Sequence, residues 1–204
     1  GDRFFRGMEG IIGELWAGAA SAIWPGPVFF EGDAVVAETA LTKGGRGRSA
    51  QFLEYYRVSF ADSLYRNFWQ WRYSSQKRYT PDYYRVGYML FAGMRTTFDE
   101  PKFTNYYYSR LFGKKLYPFY NLQKSVKEVS GLKFKDAFRK IEEDFGAEWT
   151  ANDSLRMPET FGKRVTAEPR LYHQFSSIRP AENGLYATRR GLSLPEELVF
   201  VSYG

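Results

Sequence analysis

Two carboxylates in the first fifth of the chain have a spacing that could do chemistry. Glu31 and Glu38 lie seven residues apart in the segment Pro27–Leu41. At about 3.6 residues per turn, they fall two turns apart on one face of a helix. Between them, Ala34 and Ala37 leave room for another helix to approach closely. An acid in the first turn after Pro27 could also simply complement the helix dipole, and Glu31 would then need no metal.

The pattern Glu31-Gly32-x-Ala34-x-x-x-Glu38 resembles the helix that supplies the third zinc ligand in gluzincin metallopeptidases, the aminopeptidase-N-like and peptidase-MA-like families. The resemblance implies that Glu31 binds the metal and that Glu38 supports the ligands from outside.

A second segment, Tyr84-x-x-Gly87, resembles the Tyr-x-x-Gly element that follows the ligand helix in these enzymes. There a tyrosine hydroxyl helps to stabilise the tetrahedral oxyanion, so the resemblance implies this catalytic role for Tyr84. Tyr83 and Tyr88 are alternative candidates. A tyrosine-rich helix with its hydroxyls at the edge of the core would explain the same residues without catalysis.

The resemblance is incomplete at the metal. Gluzincins take two ligands and the general base from a His-Glu-x-x-His helix, upstream of the third ligand. This motif is absent here, and the only histidine, His173, comes after Glu31. Because a catalytic zinc typically needs three protein ligands, we expect this chain alone to retain no zinc. In the intact parent, the resemblance implies a zinc ion that polarises a peptide carbonyl and activates water.

Two explanations of the missing motif compete: a fragment of an enzyme, or a relative that has lost its metal. The chain begins at Gly1-Asp2 without Met and enters an amphipathic stretch at once, from Phe4 to Trp16, which favours the fragment. The other parts of the parent polypeptide and a peptide or protein substrate would then be its partners.

Composition limits the other function classes. With 204 residues, 44% hydrophobic and 19% aromatic, the chain can bury one sizeable core. No run approaches the roughly 20 apolar residues of a membrane helix. The net charge of +6 and the segment Gly44-Gly45-Arg46-Gly47-Arg48 suggest nucleic-acid binding, but the basic residues are dispersed and no ribonucleoprotein motif occurs. We interpret this segment as a flexible, solvated connection between helices.

The apolar periodicity predicts a mainly α fold, a helical array with a short β-hairpin appendage. Thr80, Pro81 and Asp82 form a start signal, with Thr80 as the N-cap, and Gly131 ends a helix. Helices are expected over 27–41, 51–64, 81–97, 103–112, 118–129 and 134–149.

The final part of the chain changes character. We predict a helical peptidase-like subdomain over 1–156, a linker over 157–170 and β-strands over 171–204. The strands Gly184-Leu185-Tyr186-Ala187 and Leu198-Val199-Phe200-Val201 resemble the opening of a TolB-like β-propeller blade. This resemblance implies a protein of the bacterial cell envelope, periplasmic or on the surface, with further blades downstream.

A non-catalytic function remains open as the alternative. Aromatic side chains could line a cleft for a peptide or a glycan in an envelope binding module, since flat rings stack on sugars and extended chains. Core packing would use the same residues, which are Trp69, Trp71, Tyr73, Tyr79, Tyr83 and Tyr84.

Overall fold

The computed structural model describes residues 6–7, 10–11, 13, 26–64, 66–73, 80, 82–112, 120–155, 173–191 and 194–203. The chain divides into two compact units, Gly1–Arg72 with Pro81–Leu155, and Tyr73–Thr80 with Arg156–Gly204. The first is helical and the second contains the β-strands, so the predicted mainly α architecture with a small β appendage is confirmed. The predicted linker over 157–170 and most of the amphipathic stretch from Phe4 to Trp16 lie outside the described residues.

The helices precede the strands in the chain. None of the helices in the described residues has the length and apolarity that crossing a membrane requires. Their bounds are α1 Pro27–Leu41, a 3-10 turn Arg46–Arg48, α2 Ala50–Ala61, α3 Phe68–Tyr73, α4 Tyr83–Thr96, α5 Phe103–Leu111, α6 Asn121–Ser130 and α7 Phe134–Ser154.

Two helix ends test the predicted signals. Gly131 follows α6 in the left-handed conformation, with a φ of 73°, and ends it as expected. The predicted N-cap Thr80 is wrong, because α4 begins after Asp82, whose side chain accepts a hydrogen bond from the Arg85 amide at 3.4 Å. A carboxylate directly before the first helical residue can reach that free amide, and Thr80 is two residues too early.

Helix α4 lies at the centre of the helical unit. Every residue from Val86 to Met94 is buried. Phe29 of α1 contacts Phe91 edge-on at 6.3 Å between ring centres, and Gly93 lies against Ile141 of α7. Helices α1 and α7 thus both pack on α4.

Helices α1 and α4 touch through their backbones at Gly32 and Gly87. A Cβ atom added to Gly32 would lie 2.3 Å from the carbonyl carbon of Gly87, and one added to Gly87 would lie 2.0 Å from the carbonyl oxygen of Val28. We predicted that Ala34 and Ala37 make room for a neighbouring helix, and this was wrong. Ala34 is exposed and Ala37 is only half-buried, so the two glycines provide the close approach.

An ion pair between Asp33 and Arg95 also connects α1 with α4. Oδ1 of Asp33 accepts hydrogen bonds from the Thr104 hydroxyl at 2.8 Å and from the Arg95 guanidinium at 3.2 Å. Because Arg95 is on α4 and Thr104 is on α5, this one carboxylate connects three helices.

The β-unit is a three-stranded antiparallel sheet, ordered β1 His173–Ala181, β2 Gly184–Gly191 and β3 Glu197–Ser202. The predicted hairpin is therefore part of a larger sheet. In the register of β2 with β3, Tyr186 lies opposite Phe200, with 5.1 Å between ring centres. Leu198 and Phe200 are exposed on the same face.

One buried carboxylate contacts the aromatic core. Glu142 of α7 is 8% exposed, and its Oε1 accepts a hydrogen bond from Nε1 of the buried Trp71 at 2.8 Å. Burial raises the pKa of Glu142 from 4.5 to about 7, although the hydrogen bond from Trp71 opposes the shift. At neutral pH this side chain is therefore close to half-protonated.

We expect Glu142→Gln to stabilise the protein at pH 8. Because the pKa of Glu142 is higher in the folded protein, its favourable contribution is complete below pH 4.5 and is lost as the pH rises through about 7. Glutamine keeps an acceptor for Trp71 without the buried charge, so the gain at pH 8 should approach roughly 3 kcal/mol and vanish in acid. Urea unfolding between pH 4.5 and 8 measures it. The control is Glu54→Gln, an exposed acid on α2 that does not contribute to the pKa shift of Glu142, and it should leave the pH profile unchanged.

We expect Gly87→Ala to destabilise the fold by about 3 kcal/mol, the upper end of overpacking costs, because the new methyl group has no space against Val28. The better helix propensity of alanine offsets only about 1 kcal/mol of this. Gly44→Ala is the matched control, since no atom lies within 4 Å of its added Cβ. Equal unfolding free energies of the two variants in urea would contradict the proposed backbone contact.

Candidate functional site

Glu31 is on α1 and is half-buried. The first turn of α1 contains no acid, so Glu31 lies beyond the region where the helix dipole is effective. The simple interpretation of Glu31 as a dipole-complementing acid therefore has no support in its position.

Tyr84 lies in the first turn of α4, and its ring stacks on Tyr83 with 4.8 Å between ring centres. Burial raises the pKa of Tyr84 above its ordinary value, and the negative charge of Glu31 raises it further. The electrostatic effect requires the two side chains to be close. The structure thus brings together two residues that the sequence analysis singled out separately.

The backbone contact between the helices explains this proximity. Glu31 directly precedes Gly32, and Tyr84 is three residues, about one turn, before Gly87. With Gly32 and Gly87 in contact, the preceding acid and the tyrosine are held near the crossing point. We name this pair the Glu31–Tyr84 site.

The other two tyrosine candidates differ in position. Tyr83 is 40% exposed and stacks on Tyr84 at the surface. Tyr88 is 8% exposed, and its ring meets Phe52 edge-on at 5.6 Å. Tyr88 is therefore a core residue, while Tyr83 borders the site.

Glu38 contacts the site through an arginine that the sequence analysis did not select. Its Oε1 accepts a hydrogen bond from the Arg46 amide at 3.1 Å, and its Oε2 accepts one from Nε of Arg46 at 2.8 Å. The hydrogen bond to the Arg46 side chain lowers the pKa of Glu38. The Arg46 guanidinium carbon lies 5.3 Å from the centre of the Tyr84 ring, a cation–π contact.

The segment containing Arg46 connects two helices and is mostly exposed, as expected, but its glycines pack on α1. Gly45 is buried, and a Cβ atom there would lie 2.3 Å from the Cα of Thr39. The amide of Gly47 donates to the Thr39 hydroxyl at 3.0 Å. The glycines around Arg46 were the available signal, since close backbone approach is one reason for glycine in a loop.

The aromatic residues considered for a binding cleft are dispersed. Trp71 is 2% exposed and packs on Tyr56, and Trp69 packs on Phe68 and Phe134. Tyr73 is 68% exposed, and Tyr79 lies outside the described residues. Of the candidate residues that the structure describes, only Tyr83 and Tyr84 lie at the site.

A metal site would need more than Glu31. The part of the chain that the structure describes contains no group of three His, Cys, Asp or Glu side chains that could hold a metal ion. His173 is in the β-unit, half-buried at the start of β1. Since zinc in enzymes typically has three protein ligands, the described residues do not fit a complete zinc site.

Comparison of the chain with protein-family models, curated proteins and solved structures gave no match. The function is therefore inferred from the geometry of the Glu31–Tyr84 site and from the resemblance of its two sequence segments. That geometry consists of a carboxylate, a neighbouring tyrosine with a raised pKa, and an arginine stacked on its ring.

We expect Glu31→Gln to lower the pKa of Tyr84, because removing a nearby negative charge makes the phenolate less unfavourable. The pKa should stay above the ordinary tyrosine value, since burial is the larger cause. A titration of ¹³Cζ-labelled tyrosine by NMR measures it, with Tyr84→Phe to assign the signal. Glu54→Gln, an exposed acid on α2, is the control and should leave the Tyr84 titration unchanged.

Proposed function

We propose that this chain is part of a zinc-dependent, peptidase-like protein of the bacterial envelope. Glu31 would be one metal ligand, and Tyr84 would donate a hydrogen bond to the oxyanion formed from a peptide carbonyl. The observation that carries the proposal is the backbone contact of Gly32 with Gly87, which places Glu31 and Tyr84, on two different helices, beside the same crossing point. The two residues come from separate segments that each resemble an element of the same enzyme family.

Tyr84 keeps its proton at neutral pH, as an ordinary tyrosine with a pKa of about 10 also does, and its own pKa is higher. A tyrosine that keeps its proton at neutral pH can act as a hydrogen-bond donor, and an oxyanion needs such a donor at a fixed position. Tyr83, on the same helix, and Arg46, from the 3-10 turn, pack on the Tyr84 ring and restrain its orientation. Glu38 would then support the site indirectly, by holding Arg46.

The metal itself requires ligands beyond the described residues. Glu31 provides one carboxylate, so the remaining ligands would come from other parts of the polypeptide, as the family resemblance implies. The substrate would be a peptide or protein. The chain alone would be inactive.

A metal-free binding module for peptides or glycans is the second candidate. It is favoured by the exposed ring of Tyr83, which is stacked with Tyr84 and could receive a flat ligand group. In such a protein the surface around Tyr83 and Tyr84 would bind its ligand without zinc. The residues encoded upstream of Gly1 distinguish the two candidates, since only a peptidase should contain His-Glu-x-x-His there.

We expect the chain dialysed against zinc to retain no stoichiometric metal by elemental analysis and to cleave no casein. A longer polypeptide that includes the upstream residues should bind one zinc. Glu31→Ala in it should weaken zinc binding by more than about a hundredfold, because even outer partners of metal ligands contribute 10–100-fold. Glu54→Ala is the control. Unchanged zinc affinity in the Glu31 variant would refute the proposal.

A further inference from the structure

The loop between α1 and α2, residues 42–49, is packed against both α1 and α4. Gly45 lies against the backbone of Thr39, and a Cβ atom at Gly47 would lie 2.5 Å from the hydroxyl oxygen of Tyr88. The hydrogen bond from the Gly47 amide to Thr39 adds a polar contact. These contacts fix the backbone on both sides of Arg46, so its Cα has a defined position beside the Glu31–Tyr84 site.

The side chain of Arg46 is oriented through only one of its nitrogen atoms. Nε donates to Glu38, which also accepts from the Arg46 amide, and the guanidinium plane lies over the Tyr84 ring. The two terminal NH₂ groups of Arg46 make no hydrogen bond to any described residue, and the side chain is 46% exposed. A guanidinium with its terminal edge open presents parallel donors that match a carboxylate.

Arg48, two residues further on, is arranged differently. One of its terminal nitrogens donates to the Thr42 carbonyl, so its guanidinium closes the loop on itself. The same loop thus contains one arginine used for its own structure and another whose donors face outward next to Tyr84.

We propose that Arg46 binds a carboxylate group of the peptide ligand, and so gives the Glu31–Tyr84 site a preference for acidic peptides. This inference rests on the proposed function for the nature of the ligand, but it does not require zinc. The carboxylate belongs either to an acidic side chain or to the C-terminus of the peptide. Glu38 holds the guanidinium in place, and the packed loop reduces the entropy lost on binding.

The test uses three peptides and this chain without metal. Acetyl-Ala-Ala-Glu-Ala-Ala-amide carries a side-chain carboxylate, its Gln counterpart carries none, and the Gln peptide with a free C-terminus carries only the terminal one. NMR titration of the Tyr84 ring and the Arg46 side-chain signals gives the affinities. We expect one of the two acidic peptides to bind about tenfold more tightly than the neutral one, as a charge-assisted hydrogen bond provides.

Arg46→Gln should abolish this preference, and Arg46→Lys should retain part of it, because lysine keeps the charge without the planar fork. Arg48→Gln is the matched control with the same change in net charge, and it should keep the full preference. Circular dichroism and urea unfolding verify that each variant is folded. Equal binding of all three peptides, a preference that survives in Arg46→Gln, or an equal loss in Arg48→Gln would each overturn the proposal. Zinc binding by the longer polypeptide is measured separately. A failure of the zinc proposal can therefore be told apart from a failure of the peptide preference.

Discussion

The arrangement of the candidate site depends on one steric constraint, the backbone contact of α1 and α4 at Gly32 and Gly87. No side chain fits between the helices there. Packing at interhelical distances of 8–10 Å is usual when side chains separate two helices, and their absence permits a closer approach. The residue before one glycine and the residue one turn before the other consequently share a small region of the surface. Each of the two sequence segments therefore contains a candidate site residue and the glycine that positions it.

Two carboxylates of α1 form further contacts between this helix and its neighbours. Asp33 connects α1 with α4 and α5, and Glu38 connects α1 with the α1–α2 loop. Both carboxylates are on the helix that carries Glu31, yet each has described partners that use its oxygens. Among the three acids of α1, Glu31 differs in that its described interaction is with the tyrosine of the site. This difference supports a separate role for it.

Local patterns were sufficient to predict most helices, but not what the helices contact. The periodicity of apolar residues predicted α7, and the glycine at position 131 predicted the end of α6. The beginning of α4 was misplaced because Thr80 and Asp82 are both good caps, and only the backbone path decides between them. The role of Ala34 was misjudged because alanine and glycine both look permissive in a sequence, whereas at this contact even a methyl group is too large.

The candidate site shows the same limit. Glu31, Glu38 and Tyr84 could be selected from the sequence because they occupy recognisable spacings. Arg46 could not, since its contacts with Glu38 and Tyr84 arise only when the glycine-rich loop folds back on α1. A short polar segment of this kind gives little periodic signal, so it is easily taken for a solvated connection.

The Glu38–Arg46 pair has a physical consequence for the medium around the protein. Their side chains are 33% and 46% exposed, so dissolved ions reach both partners. At physiological ionic strength the screening length is about 8 Å, and it shortens as salt is added. Counterions then compete with Glu38 for the Arg46 guanidinium, which weakens the interaction that holds this group over the Tyr84 ring. The position of the Arg46 guanidinium beside Tyr84 therefore depends on the salt concentration of the solution.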